Sequence, residues 1–394
     1  MRIVFVSYEY PPDTGFGGIG TYVYQISHVL SKREIDVQVV CGTFNQNITK
    51  VENDSFLSIH RIQCNSRKDF GMLVPDILKK IHGQKKIDLI EAPDYGAESL
   101  YIKPAFPDIP LIVKFHTPAY LIKRLNDHYY DKQLHRKLKH VFVKYNPEND
   151  IEYKAAIQAD YLTSPSVSLG DIISEDWKIP RDKIISSPYP YVPVTQLLNI
   201  SPTNSGKTVL YVGRLETRKG VYNLSKAIPE ILKQVPDARF IFLGKNDRGP
   251  WRKETMKEIL IKNLGSAVDR TEFFDHVPLT EIPSYLSKAT VCVFPSLWEN
   301  YPNVCLEAMA AGRGIVASKN GGMSEMIGNS NRGLLVDPNN IPEIANAVIS
   351  LLQNEEKRIS YGIKSREQIL NYYSSELMIQ KLLDQYKTFA KGTN

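Results

Sequence analysis

The chain opens on RIVFVS (2–7), a run apolar at consecutive positions. It is too short for a buried helix and too continuous for a strand with one wet face, so it predicts a strand buried on both sides. The same texture recurs at IDVQVVCG (35–42), KIDLIEA (86–92), PLIVKFH (110–116) and ADYLTS (159–164), with helical stretches such as 19–33 between. Alternation of this kind predicts a doubly wound parallel sheet. SSPYPYVPVTQLLNISPTNSGK (186–207) is rich in Pro, Ser and Asn and keeps no period, as a linker should. Beyond it the alternation restarts at 208–215, 238–244, 271–277, 290–296 and 314–322, and amphipathic helices follow at 341–354 and 356–391. The expected architecture is α/β: a first domain over 1–190, a linker over 191–206 and a second domain over 207–375. A last helix over 376–394 is expected to return to the first domain. Ligands of open parallel sheets sit beyond the carboxyl ends of the strands, so the loops there, bordering a cleft between the two domains, should carry the chemistry.

Length agrees, since 394 residues exceed what one ordinary core accommodates. The formal charge of +6 is mild, which argues against nucleic acid and suits equally a pocket for phosphorylated ligands or contact with an anionic membrane surface. Cys41, Cys64, Cys292 and Cys305 form no C-x-x-C pair, so buried free thiols are expected rather than a zinc site or disulfides. MRIVFVSYEY has no basic leader, and no apolar run approaches membrane-spanning length; a cytoplasmic location is the expectation.

Three stretches carry candidate chemistry. GFGGIG (15–20) matches G-x-G-x-x-G, but SYEYPPDT separates it from the first strand, and VQVVCGTFNQN supplies no acidic residue after the second. A nicotinamide cofactor is therefore not expected. What remains is backbone N–H approaching an anion at the start of helix 19–33. YVGRLETRKGV (211–221) sets Arg214, Arg218 and Lys219 after the second domain's first strand, a donor set suited to a diphosphate. LWENYPNVCLEAMAAG (297–312) holds Glu299 in a loop and Glu307 inside a helix farther on. Asn300 could cap that helix and Pro302 could open it. Alternatively the two acids grip sugar and ribose hydroxyls while the amides of Asn303 and Val304 face an anion. A glycosidase acid/base couple would need no Arg214 or Lys219. Cations and acids explain each other if the leaving group is a nucleoside diphosphate.

In order, GFGGIG, VGRLETRKG, the E-x7-E element and SKNGGMSE (318–325) resemble the retaining family 4 glycosyltransferases of the GT-B fold, over nearly the whole chain. The resemblance implies that Arg214 and Lys219 hold the donor diphosphate, Glu299 contacts donor-sugar hydroxyls and Glu307 binds ribose. Asn303 and Val304 contribute amides, Asn300 and Tyr301 belong to the same donor-binding loop, and Gly17 and Gly18 face the phosphates from the other domain. His116 in KFHTP is the histidine near the reacting sugar, and Asp94 in EAPDYGA is the candidate for orienting an acceptor. Two-domain closure over the donor is the expected motion. No D-x-D occurs, so neither metal nor cofactor is expected, and charge on the leaving diphosphate falls to side chains and helix dipoles.

The implied reaction moves a hexose from a nucleotide diphosphate sugar, a UDP-sugar first and GDP-mannose next, onto an acceptor hydroxyl with retention. The acceptor is a glycan, a lipid-linked sugar or a small molecule. Residues 121–145 are basic with interspersed leucines and aromatics, which suggests weak contact with anionic lipid. Two other readings stand beside transfer: a sugar-nucleotide epimerase on the same fold, and a non-catalytic two-domain binding protein.

Overall fold

The structure is a computed structural model and describes residues 1–14, 17–44, 51–127, 145–204, 206–247, 249, 254–275, 277–328, 331–374 and 376–392. Among them lie two sheets. The first is built from β1 (Arg2–Ser7), β2 (Asp36–Thr43), β3 (Val51–Asp54), β4 (Leu57–Gln63), β5 (Leu89–Pro93), β6 (Leu111–Lys114), β7 (Tyr161–Ser164) and β8 (Ile184–Ser186). The second comprises β9 (Thr208–Val212), β10 (Arg239–Leu243), β11 (Thr271–Phe274), β12 (Val291–Phe294), β13 (Gly314–Ser318) and β14 (Leu334–Val336). Spatial order is β3-β4-β2-β1-β5-β6-β7-β8 in one and β11-β10-β9-β12-β13-β14 in the other. Every pairing is parallel except β3 with β4.

The order decides where the sites form. In the first sheet β1 lies between β2 and β5; in the second β9 lies between β10 and β12. Chain direction along the sheet reverses at those strands, so the loops leaving β1 and β5, and those leaving β9 and β12, stand side by side. Both sheets are covered by helices. Val4, Val6, Ile90 and Leu111 pack with Phe70, Val74 and Leu78 of helix Arg67–Gln84. In the second core Val209, Phe240, Phe242 and Val291 meet Leu224, Ile228 and Ile231 of helix Val221–Gln234.

The described residues divide into two compact units: 1–119, 145–190 and 376–392 form the first, and 120–127 with 191–374 form the second. The C-terminal helix Glu376–Lys391 lies in the first unit, with Phe389 stacked on Tyr161 at 4.1 Å and Arg33 paired to Glu376. Residues 191–204, expected as a linker, pack into the second unit. Tyr191 and Leu197 are buried there. Arg366 donates to the Ile200 carbonyl at 2.6 Å, Arg358 to that of Asn204 at 2.8 Å, and Arg313 to that of Ser201.

Other departures are local. β3, β4, β8 and β14 carry no clear signal in the sequence; β8 and β14 are three residues long, and β3 is an edge strand of four. The strand expected over 208–215 stops at Val212 because Gly213 turns to φ +149°. The helix expected over 356–391 is two, Glu355–Gln368 and Glu376–Lys391, with a π-turn at Ile369–Tyr373 between them. That wider turn buries both Ile369 and Tyr373, while the Ser374 hydroxyl donates to the Ile369 carbonyl at 3.0 Å. Among the described residues no helix is long and apolar enough to cross a membrane. Of the amphipathic stretch 121–145, residues 128–144 lie outside the described residues; its start belongs to helix Ala119–Asn126.

Candidate active site

In the second unit the loops after β9 and β12 are pressed together. The Leu297 N–H donates to the Arg218 carbonyl at 2.8 Å. Gly220, at φ +70°, leaves no room for a side chain, since a Cβ there would lie 1.7 Å from the Pro295 carbonyl oxygen. This contact carries the charges to each other. Lys219 Nζ lies 2.5 Å from Glu299 Oε1 and Arg218 Nη1 donates to the same oxygen at 2.7 Å. Arg218 Nη2 meets Glu216 Oε1 at 2.9 Å, and the exposed Arg214 guanidinium leans on that oxygen from 3.5 Å. An ordered row results: Lys219, Glu299, Arg218, Glu216, Arg214.

Burial alone would raise the Glu299 carboxyl, yet the charges of Lys219 and Arg218 outweigh it and hold the group below its ordinary range. Glu299 is therefore an anchored carboxylate. Arg218 differs from the expectation that it would stand with Arg214 and Lys219 as a phosphate cation, because its buried guanidinium is committed inward to two glutamates.

The motif SKNGGMSE holds Glu299 from behind. The Glu299 backbone bridges to Gly321, and the Gly322 N–H donates to the Glu299 carbonyl at 2.9 Å. Gly321 sits at φ +77°, where a Cβ would come within 2.1 Å of that carbonyl oxygen. Gly321→Ala is accordingly expected to cost at least about 1–3 kcal/mol through strain alone and to lower activity by displacing Glu299. Urea melts and initial rates check both effects.

Helix Asn303–Ala310 starts with Pro302 in the cap position and no side-chain cap. Pro302 thus precedes the first helical residue rather than being it, and Asn300 sits buried in the loop instead of capping. Asn303 and Val304 form the half-buried first turn, where helix N–H groups point outward. Glu307 follows within the helix; burial raises its carboxyl to about 7. Its charge reaches the buried Tyr191 hydroxyl, itself held well up by burial and then by Glu307. Tyr301 packs edge-on against Tyr373 at 5.9 Å.

The first unit gathers its own candidates at the ends of β1, β5 and β6. Asp94 is fully buried; its Oδ1 accepts the His116 N–H at 2.7 Å, and burial followed by the nearby Glu152 charge raises its carboxyl well above the ordinary range. Asp94 thus holds the backbone that presents His116. Burial, then the Lys114 charge, lowers the His116 imidazole to about 3, so the ring is neutral at physiological pH.

Gly17 occupies the cap position of helix Gly18–Ser31, and Gly18 faces open space, with nothing within 4 Å of where a Cβ would stand. Gly15, the first glycine of the motif, lies outside the described residues. Sequence reasoning missed Glu9. Its carboxylate lies 2.5 Å from where a Gly17 Cβ would be, accepts the Gly20 N–H at 3.4 Å, and pairs with Arg67, which also binds Glu98. Arg67 stands between the rings of Tyr8 and Tyr95, 4.9 and 5.0 Å from their centroids. The signal was a lone acid inside SYEYPP, shortly before the glycines. Among the described residues no group of three or more His, Cys, Asp or Glu is arranged to hold a metal ion.

Two family profiles match the chain, "Glycosyltransferase Family 4" over residues 16–188 and "Glycosyl transferases group 1" over 199–368. A glycogen synthase of Mycobacterium tuberculosis is 26% identical, covering 90% of this chain and 86% of its own. Among solved structures, sucrose-phosphate synthase of Thermosynechococcus elongatus superposes with a TM-score of 0.75 at 22% identity over 100% of both chains. The Anabaena protein HepE, solved with UDP-glucose, gives 0.67 at 17% identity over 98% of this chain and 100% of its own. With its two parallel-sheet α/β domains, the chain is a glycosyltransferase enzyme of the GT-B fold and belongs to the family 4, group 1 glycosyltransferases.

Proposed function

We propose that the enzyme transfers a hexose from a nucleotide diphosphate sugar to an acceptor hydroxyl with retention at the anomeric carbon and without a metal ion. The observation that carries the reading is the doubly anchored Glu299. Lys219 and Arg218 both take its Oε1, which leaves Oε2 to accept hydrogen bonds from donor-sugar hydroxyls. Lys219 and the exposed Arg214 supply the positive charge needed as the leaving diphosphate accumulates negative charge, aided by the N-terminal amides at Asn303 and Val304. Glu307, whose charge reaches Tyr191, is read as the acceptor for a ribose diol once ionised. Asn300 and Tyr301 shape the same loop, and Gly18 gives a phosphate close access to backbone.

In the first unit His116, uncharged, is read as the hydrogen-bonding group nearest the reacting sugar, and Asp94 as its backbone holder on the acceptor side. In a front-face route the bond from the anomeric carbon to the diphosphate oxygen breaks as the acceptor oxygen bonds to the same face, and its proton passes to the departing phosphate. No separate protein nucleophile is then required. A UDP-sugar is the first candidate donor, in keeping with the HepE complex, and GDP-mannose the second. The acceptor is a glycan, lipid-linked sugar or small hydroxylated molecule.

A thermal-shift panel of UDP, GDP and ADP tests the donor, because a ligand bound only by the folded state raises the melting temperature. One of the three is expected to do so, and transfer from the matching sugar should persist in EDTA. A flat panel, or activity abolished by EDTA and restored by a divalent cation, contradicts the reading. Salt-sensitive binding to anionic vesicles would add a membrane-held acceptor; its absence removes that part.

A further inference from the structure

Behind His116 lies a buried polar cluster to which the transfer reading gives no role. Lys114, the last residue of β6 and two positions before His116, is 1% exposed. Its ammonium donates to the Ser187 carbonyl at 3.1 Å and lies 5.3 Å from the centre of the Tyr22 ring. That ring in turn stands 5.3 Å from the His116 ring and 4.8 Å from Tyr189. The neighbouring strand β5 contributes Glu91, buried at 3% exposure, whose two oxygens accept from the hydroxyls of Tyr22 at 2.6 Å and Tyr386 at 2.7 Å. The groups around His116 thus include Lys114 at the end of β6, Tyr22 from helix Gly18–Ser31 and Asp94, which accepts its backbone N–H, while Tyr189, beyond β8, packs on Tyr22. Glu91 and Tyr386, the latter from the C-terminal helix, complete the next layer.

A fully buried ammonium is costly unless something offsets it. Glu91 supplies the compensating charge, but a leucine in place of the lysine would pack without either. The placement is informative for another reason. Burial lowers the Lys114 ammonium while the Glu91 charge raises it; a charged Lys114 in turn disfavours a second proton on the His116 ring, and a charged histidine could only donate, never accept, a hydrogen bond.

We propose that Lys114, balanced by Glu91, is a positioning residue for transfer: it keeps His116 an uncharged imidazole able to accept as well as donate a hydrogen bond at the reacting sugar. This rests on the reading of His116 as the group nearest the reacting sugar, and the two are separable by experiment. Burial and the Lys114 charge together hold the His116 imidazole at about 3, well below its ordinary value. Because the folded state disfavours the proton, the ring stays neutral through the working range and gains charge only when acid forces it. Through Tyr386, the C-terminal helix becomes part of the electrostatic setting of a residue far away in sequence.

The experiment is an NMR titration of the full-length protein carrying labelled histidine, with His116→Gln assigning one signal among the eight histidines. In the unaltered protein the His116 ring is expected to stay neutral down to about pH 4. In the double variant Lys114→Met/Glu91→Gln, which removes both charges while keeping an acceptor for Tyr22 and Tyr386, the midpoint should rise by about one unit or more. The acid limb of kcat/KM should move in the same direction. The single variant Lys114→Met leaves Glu91 buried without its counter-charge, so its stability is not the readout. A ring that titrates near about 6.5 in the unaltered protein, or an unchanged midpoint in the double variant, overturns the proposal. Full transfer by His116→Ala would instead defeat the reading of His116, while the titration still judges Lys114.

Discussion

Lys219→Ala is expected to lower transfer by on the order of 10²–10³-fold, the usual consequence of removing a preorganised donor aimed at developing charge. The variant should remain folded. Glu299 keeps its bond to Arg218 at 2.7 Å, so one cation still faces the buried carboxylate. If Lys219 acts mainly on the departing diphosphate, kcat and kcat/KM should fall together; a loss confined to KM would mean that it binds ground state and transition state alike. Arg214→Ala should behave similarly, since its exposed guanidinium makes one long contact, 3.5 Å to Glu216, and is otherwise turned outward. Steady-state rates with saturating donor measure both. Near-normal turnover in both variants would contradict the assignment of the diphosphate to this loop.

Arg218→Ala is expected to act on stability first, costing about 3–5 kcal/mol as for breaking a buried ion pair. The guanidinium belongs to a residue 8% exposed and stands between Glu216 at 5% and Glu299 at 9%. Removing it leaves Glu216 with the distant Arg214 and the Asn126 amide at 3.4 Å, and Glu299 with Lys219 as its remaining paired cation. In a unit of this size the melting temperature should fall by roughly 10 °C. Arg218→Met combined with Glu216→Gln should recover a large part, because the uncompensated charge goes with its partner. Urea melts of the single and double variants provide the comparison; equal losses would show that packing rather than charge dominates.

The same residue shows where sequence reading stops. Two arginines and a lysine closely spaced after a strand signal an anion, yet spacing does not reveal which of them turns inward. That depended on Glu216, just upstream of Arg218, and on the loop after β12 arriving beside it, a consequence of β9 and β12 being neighbours. The fold itself was legible wherever burial on both faces left consecutive apolar runs, as in β1, β9 and β13. It was not legible where strands are short or at an edge: β8 and β14 give three residues each, too few for any period to declare itself. Pro and Ser in 186–207 suggested a free linker, but the structure ties residues 200–204 to the second unit through arginine side chains far along the chain. Glu9 and Lys114 were invisible for a related reason. Each draws its meaning from partners on other elements, Arg67 for one and Tyr22 with Glu91 for the other.

Calorimetric titration of UDP, GDP and ADP into the full-length enzyme and into Lys219→Ala tests the central claim most directly. One of the three nucleotides should bind the unaltered enzyme and lose at least about tenfold in affinity in the variant, the effect of removing about 1.4 kcal/mol of charge-assisted contact. Equal affinity in both proteins, or no binding of any nucleoside diphosphate to either, would contradict it.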